Sequence, residues 1–210
     1  MSTAILAVYF GTSDTAAMAR LESGFAREFP DYPVYRAFLS RRFPEVPSVA
    51  EALQQLKTYD RVLVQAMLVS DGPSYRQLCT QCTPGAPLLA STDACITAME
   101  RWLPKPLLLL CHGAAGSDLT RFSAMLPEGM YAAALEGTPS LETLLPKLAE
   151  QAIHLAPFLL TEGIHTRRDL ALWKHQLEAV GCTVTLHEAP LSYCPDIPGI
   201  FADHLRNTLL

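Results

Sequence analysis

No apolar run in this sequence reaches the roughly 18 residues that a membrane-crossing helix needs, so a spanning segment is not expected. A basic surplus is missing too. The net charge is −5, and a nucleic-acid binder is expected to carry clustered positive charge instead. The apolar stretch 1–10 has no basic residues ahead of it and runs into Gly11 rather than a small-residue cleavage site, so it does not read as a secretory signal. Cysteine is scarce. Six unclustered cysteines in 210 residues suit free thiols in a reducing, cytoplasmic setting better than a disulfide framework. One CxxC exists, Cys79 to Cys82, but a second pair or an HxxxH to complete a zinc site is absent, and two ordinary thiols are expected. The nucleophile elbow GxSxG, the phosphate-binding Walker loop and GxGxxG are all missing, which argues against a hydrolase of that type and against a nucleotide cofactor.

What is present is a high apolar content of 50% with only 18% charge, enough for a well-buried core and too apolar for a disordered chain. Apolar runs of strand length recur at 4–10, 33–38, 62–69 and 87–90, and again at 106–111, 131–135, 154–160 and 182–187. Several are continuous rather than alternating, as in strands covered on both faces. Helical patterns lie between them. In "TAAMARLESGFAREF", for example, Met18, Leu21, Phe25 and Phe29 fall near one face. This alternation predicts an α/β fold of two similar domains, 1–104 and 105–210, each a mainly parallel sheet flanked by helices. The halves also match locally. "VLVQAMLVSDG" (62–72) parallels "IHLAPFLLTEG" (153–163), and "FGT" after the first strand parallels "HGA" after the strand that opens the second half.

In such folds ligands bind beyond the carboxyl ends of the strands. That rule selects His112, Glu136 and His165, each just past a predicted strand of the second half. Two imidazoles and a carboxylate can hold a borderline divalent ion with an open position. The intervals of 24 and 29 residues match no local zinc motif, so the signal is positional. Each residue also has an ordinary reading: a hydrogen-bonded strand-end histidine, a helix-capping acid, a loop residue. His154, His175, His187 and His204 read as surface or supporting residues. Cys111 precedes His112, so on a strand the two point to opposite faces and do not form a catalytic pair.

The ordered set "AVYFGTSD", "FPDYPVYRAFLS", "VLVQAMLVSDGPSY", "LLLLCHGA", "LEGTPSLETLL" and "EGIHTRRDLALWKHQLEAVG" resembles the successive landmarks of the anaerobic, ATP-independent cobaltochelatases of cobalamin biosynthesis, in the class II chelatase group. The resemblance covers nearly the whole chain. It implies two similar α/β domains with a tetrapyrrole in the cleft between them, and insertion of Co2+, or of Ni2+ or Fe2+, into a sirohydrochlorin-type macrocycle. By motif it implies that His112 is metal ligand and proton acceptor, Glu136 a metal ligand and His165 the other imidazole ligand. Three departures stand out. Leu68 and Ser74 occupy places where the family commonly has a histidine and a glutamate, and Ile164 replaces the aspartate before the last histidine. The chain is also short for the family. For the substrate carboxylates, Arg76, Arg167 and Arg168 are candidate donors, with Ser74 and Tyr75 beside the first and the loop of Gly11, Thr12 and Ser13 after the first strand. The divalent metal is substrate, and neither nucleotide nor nucleic acid is expected as partner; a homo-oligomer is left open. The competing reading is a tetrapyrrole or metal carrier without turnover.

Overall fold

The computed structural model describes residues 2–113 and 119–209, and the side chains at 164 and 165 lie outside the described part. In chain order the elements are β1 (Thr3–Tyr9), α1 (Thr15–Glu28), β2 (Val34–Phe38), α2 (Val49–Gln55), β3 (Arg61–Ala66), α3 (Pro73–Cys79), α4 (Thr92–Trp102), β4 (Leu107–Cys111), α5 (Leu119–Met125), β5 (Met130–Ala134), α6 (Leu141–Leu148), β6 (Ala152–Pro157), α7 (Ile164–Ala179), β7 (Thr183–Leu186) and α8 (Ile197–Asn207). They form two sheets with strand orders β2-β1-β3 and β5-β4-β6-β7. Every pairing within the named strands is parallel, as the strand–helix alternation requires. The α/β class with helix-flanked parallel sheets is therefore the observed one.

Composition explains which strands are central. β4 is "LLLLC", buried at every position, and it lies between β5 and β6. β1 is buried from Ala4 to Tyr9 and lies between β2 and β3. A strand covered on both faces has no polar side to alternate with, hence the continuous apolar runs. By contrast the edge strand β7, "TVTL", alternates exposed and half-buried residues. In α1 the buried stripe is Met18, Leu21 and Phe25, and the helix is started by Asp14, whose carboxylate accepts from the Ala17 amide at 2.9 Å. Ser48 and Glu51 cap α2 reciprocally.

The run 87–90 departs from expectation. It is a 3-10 turn, Leu88–Ser91, rather than a strand. It still tracks the end of β3, with Gly85 N–H donating to Val64 O and Leu88 N–H to Leu68 O. But Pro84 and Pro87 carry no amide hydrogen, so a continuous ladder cannot form. The first sheet is thus one strand shorter than the second.

Contacts divide the chain into two compact units, Met1–Ser91 with Pro195–Leu210, and Thr92–Cys194. This differs from a simple cut at 104/105. Helix α4 goes with the second unit, where Cys194 Sγ lies 4.0 Å from Ala98 O, and helix α8 goes with the first. The reason is visible in α8's partners. A β-carbon on Gly24 of α1 would stand 2.1 Å from Pro198 O, so only glycine lets the two helices approach this closely. Arg206 pairs with Glu28, and Arg61 donates to Thr208 O at 3.1 Å.

His204, read from sequence as a surface or supporting residue, is buried in α8. Its Nδ1 lies 3.0 Å from Ala86 O, which only accepts, so that nitrogen carries the proton. Nε2, 2.7 Å from Ser91 Oγ, accepts from the hydroxyl. Gln65, also buried, donates to the same Ala86 carbonyl at 2.8 Å. This network ties α8 to the segment after β3. Burial holds the His204 pKa below the usual histidine value, so the unfolded chain takes up a proton before the native one. The stabilising contribution is complete above the unfolded value near 6.5 and is lost as pH falls through the lower folded value. His204→Ala is expected to lower stability at pH 7.5 by about 2 kcal/mol, through the cavity left by the buried ring and the loss of its bonds to Ser91 and Ala86, the latter keeping its bond from Gln65. It should also flatten the fall in stability below pH 6.5; urea unfolding at several pH values measures both.

Candidate active site

The second unit carries the expected ligands, and parallel pairing explains their proximity. β5, β4 and β6 run the same way, so their carboxyl ends share one edge of the sheet. His112 follows β4 directly and is exposed. Glu136, two residues beyond β5, is also exposed, and its amide donates to His112 O at 3.1 Å. One residue earlier Leu135 N–H donates to Cys111 O at 2.9 Å, so the ladder of β4 and β5 continues past both strands and fixes the two main chains side by side. Helix α6 begins at Leu141 with Ser140 at its cap, so Glu136 is not the capping acid.

Gly113 makes this pairing feasible. Its φ is +77°, and a β-carbon there would stand 2.1 Å from Glu136 O and 2.7 Å from the Ala134 Cβ. The glycine after the histidine thus serves the neighbouring strand as much as its own turn. His112 Nδ1 lies 2.9 Å from Gly113 O. A carbonyl can only accept, so Nδ1 donates, and in the neutral ring the lone pair sits on Nε2.

His165 stands in the first turn of α7, after the loop that follows β6, but its side chain lies outside the described residues. Among the described residues no group of three or more His, Cys, Asp or Glu side chains could hold a metal ion. The structure thus brings His112 and Glu136 together through their main chains and places His165 on the helix that follows the next strand.

The other residues singled out by sequence are distributed as follows. Gly11, Thr12 and Ser13 form the loop after β1. Thr12 is buried, and its hydroxyl accepts from Asp14 N–H at 3.0 Å, while Ser13 is exposed. Ser74 and Tyr75 are half-buried in α3, and Arg76 is exposed on the same helix, 4.0 Å from Asp71. Burial raises the Tyr75 phenol, with Cys79 close by adding to the shift. Arg167 and Arg168 are exposed in α7, and Arg167 donates to Glu162 at 3.0 Å. Leu68 is packed in the core of the first unit with Val64, Ala66 and Leu78. The position to which the resemblance gives a histidine is therefore used here for apolar packing. All six cysteines are free, and burial together with Cys79 pushes the Cys82 thiol up to about 11, as for an ordinary, unreactive thiol.

The two units repeat each other bond for bond at this edge, which sequence comparison of short runs only hinted at. In the first unit Leu39 donates to Tyr9 O at 3.0 Å and Ser40 to Phe10 O at 2.7 Å, just as Leu135 and Glu136 donate to Cys111 O and His112 O. Helices α3 and α7 are both capped by a glycine, Gly72 and Gly163, with Ser74 and His165 two residues on. The first-unit counterparts of His112, Glu136 and His165 are thus Phe10, Ser40 and Ser74, of which none is a metal ligand of this class. Phe10 is 56% exposed.

A profile of the cobalt chelatase (CbiK) family matches residues 88–210, more than half of the chain and a span that includes His112, Glu136 and His165. The chain belongs to that family. It is a metal chelatase. The chain also shares its fold with solved structures. SirB from Bacillus subtilis with Fe3+ superposes with a TM-score of 0.73 at 17% identity, over 99% of this chain and 96% of that one. The sirohydrochlorin chelatase SirB from Bacillus subtilis subspecies spizizenii in complex with cobalt gives 0.64 at 14% identity, over 99% and 95%. No curated protein sequence matches the chain. No helix among the described residues is long and apolar enough to cross a membrane.

Gly113→Ala should separate the main chains of His112 and Glu136 while leaving the buried strands intact. The expected outcome is a native circular dichroism spectrum with at least tenfold weaker Co2+ binding by calorimetric titration; unchanged binding would show that this approach is not needed.

Proposed function

We propose that this enzyme inserts a divalent cation, Co2+ in the first instance, into a sirohydrochlorin-type tetrapyrrole without ATP, using the edge of the sheet that bears His112, Glu136 and His165. The observation that carries the reading is the continued β4–β5 ladder, which sets His112 and Glu136 side by side in a chain of the cobalt chelatase family. The B. subtilis SirB structures of the same fold, with Fe3+ and with cobalt, support a metal ion as the group handled.

The reaction sets the requirements. A divalent ion enters a free-base macrocycle, two pyrrole N–H protons leave, and the ion sheds its water. A neutral imidazole suits both tasks, as borderline ligand and as base near neutral pH. His112 enters with its Nδ1 engaged by Gly113 O, which directs the lone pair to Nε2. That one lone pair serves in turn: it holds the ion, and once the ion has passed to the macrocycle it accepts one pyrrole proton, the second leaving to solvent. Glu136 offsets the ion's charge, and His165 adds the second imidazole. Arg167 and Arg168, two and three residues beyond His165, supply cationic donors for substrate carboxylates. Arg76, with Ser74 and Tyr75, and the loop of Gly11, Thr12 and Ser13 are the further proposed substrate contacts.

The test is anaerobic incubation of sirohydrochlorin with Co2+, Ni2+ or Fe2+, followed by absorbance. Acceleration over the enzyme-free control is expected, greatest with Co2+, and independent of added ATP. His112→Ala should lower the rate by roughly 10²–10⁴-fold, the usual span for losing a positioned acid–base group. Stoichiometric pigment binding without turnover for all three metals would make the protein a carrier instead.

A further inference from the structure

We propose that His154 and His187 form a second site for a divalent transition-metal ion, in the second unit and apart from the edge that bears His112. His154 lies in β6 opposite Thr185 of β7, and His187 comes two residues after Thr185 on the same face of the sheet. The two side chains meet diagonally across the strand pair. His154 Nδ1 and His187 Nε2 are 3.0 Å apart, with the rings tilted by 40°. Both residues are half-buried, so the pair is ordered by packing yet open to solvent.

That spacing falls within the range for two ligands of one ion. Two imidazole nitrogens bound at about 2.0–2.1 Å to one ion stand roughly 2.9–3.4 Å apart, for angles from octahedral to tetrahedral. Without metal, an N–H···N hydrogen bond holds the nitrogens in this range. Such a bond needs a lone pair on one ring, so at least one imidazole is neutral. On metal binding the hydrogen-bonded proton moves through solvent to the other nitrogen of its own ring, each ring turns by roughly 35–45° from a collinear hydrogen bond so that both lone pairs converge on the ion, and neutral rings release no net proton.

The pair is too far from His112 to share one ion with it. His154 is in register with Leu107, and five residues of β4 separate that row from His112, about 16 Å of strand at ~3.3 Å per residue. Among the described residues no third His, Cys, Asp or Glu joins the two imidazoles, so water completes the coordination. A site of two protein ligands with exchangeable waters takes up and releases an ion readily, unlike a closed four-ligand structural site. Its ligand class is the borderline group, Co2+, Ni2+ and Zn2+, bound by imidazole.

The experiment uses the full chain and Zn2+ as a diamagnetic probe, with nitrogen-15 NMR of the histidine rings. Zn2+ should shift His154 Nδ1 and His187 Nε2 in the wild type and equally in His112→Ala, which separates this site from the one proposed for catalysis. Ni2+ calorimetry should show that His154→Gln and His187→Gln each lose one class of bound ion, or weaken it at least tenfold, with unfolding midpoints close to wild type. Ring nitrogens of the pair that stay unshifted in excess Zn2+, or Ni2+ isotherms of both variants that superpose on the wild type, would overturn the proposal.

Discussion

In a parallel sheet every strand delivers its carboxyl end to the same edge, and the chemistry proposed for this chain depends on that constraint. β4 can be buried along its whole length because β5 and β6 satisfy its backbone on both sides. The same pairing extends one step beyond the strands, where the Glu136 amide reaches His112 O. Core packing and ligand placement are therefore one feature. The leucines hold the strand in register, and register decides which main-chain atoms follow it. Gly113 is the residue at which the two requirements meet, since any side chain there would meet the neighbouring carbonyl.

The two units differ in what they place on an equivalent scaffold. Both continue the ladder past the central strand, and both start the relevant helix at a glycine. In the first unit the positions hold Phe10, Ser40 and Ser74, and Leu68 is drawn into the core. The hydrogen-bond geometry is the same there, without ligand side chains on it. The proposed metal-binding residues accordingly all come from the second unit, which lies wholly within the residues that the family profile matches.

Much of this was legible in the sequence for physical reasons. Continuous apolar runs reveal doubly covered strands, and seven of the eight runs expected as strands hold the seven strands of the two sheets. The eighth failed because an apolar run does not show whether its amides are available, and Pro84 and Pro87 remove two of them. His112 and Glu136 were selected by position, and both do follow strands. The buried role of His204 was not legible, because it depends on a carbonyl and a hydroxyl at Ala86 and Ser91, over a hundred residues away. Nor was the meeting of His154 with His187, which requires knowing that β6 and β7 are neighbours.

The assignment of α4 to the second unit and α8 to the first has a consequence for how the chain is made. Glu28 waits for Arg206, 178 residues further on, and Gly24 waits for Pro198. A nascent chain that has completed β1 to α3 still lacks the helix that covers α1, so the first unit stays unfinished until α8 has been made. The second unit, continuous from Thr92 to Cys194, suffers no such delay. Long-range closure is slow because loop entropy is lost before contacts compensate it. The half carrying the proposed ligands is thus the half able to fold first, and α8 completes the other.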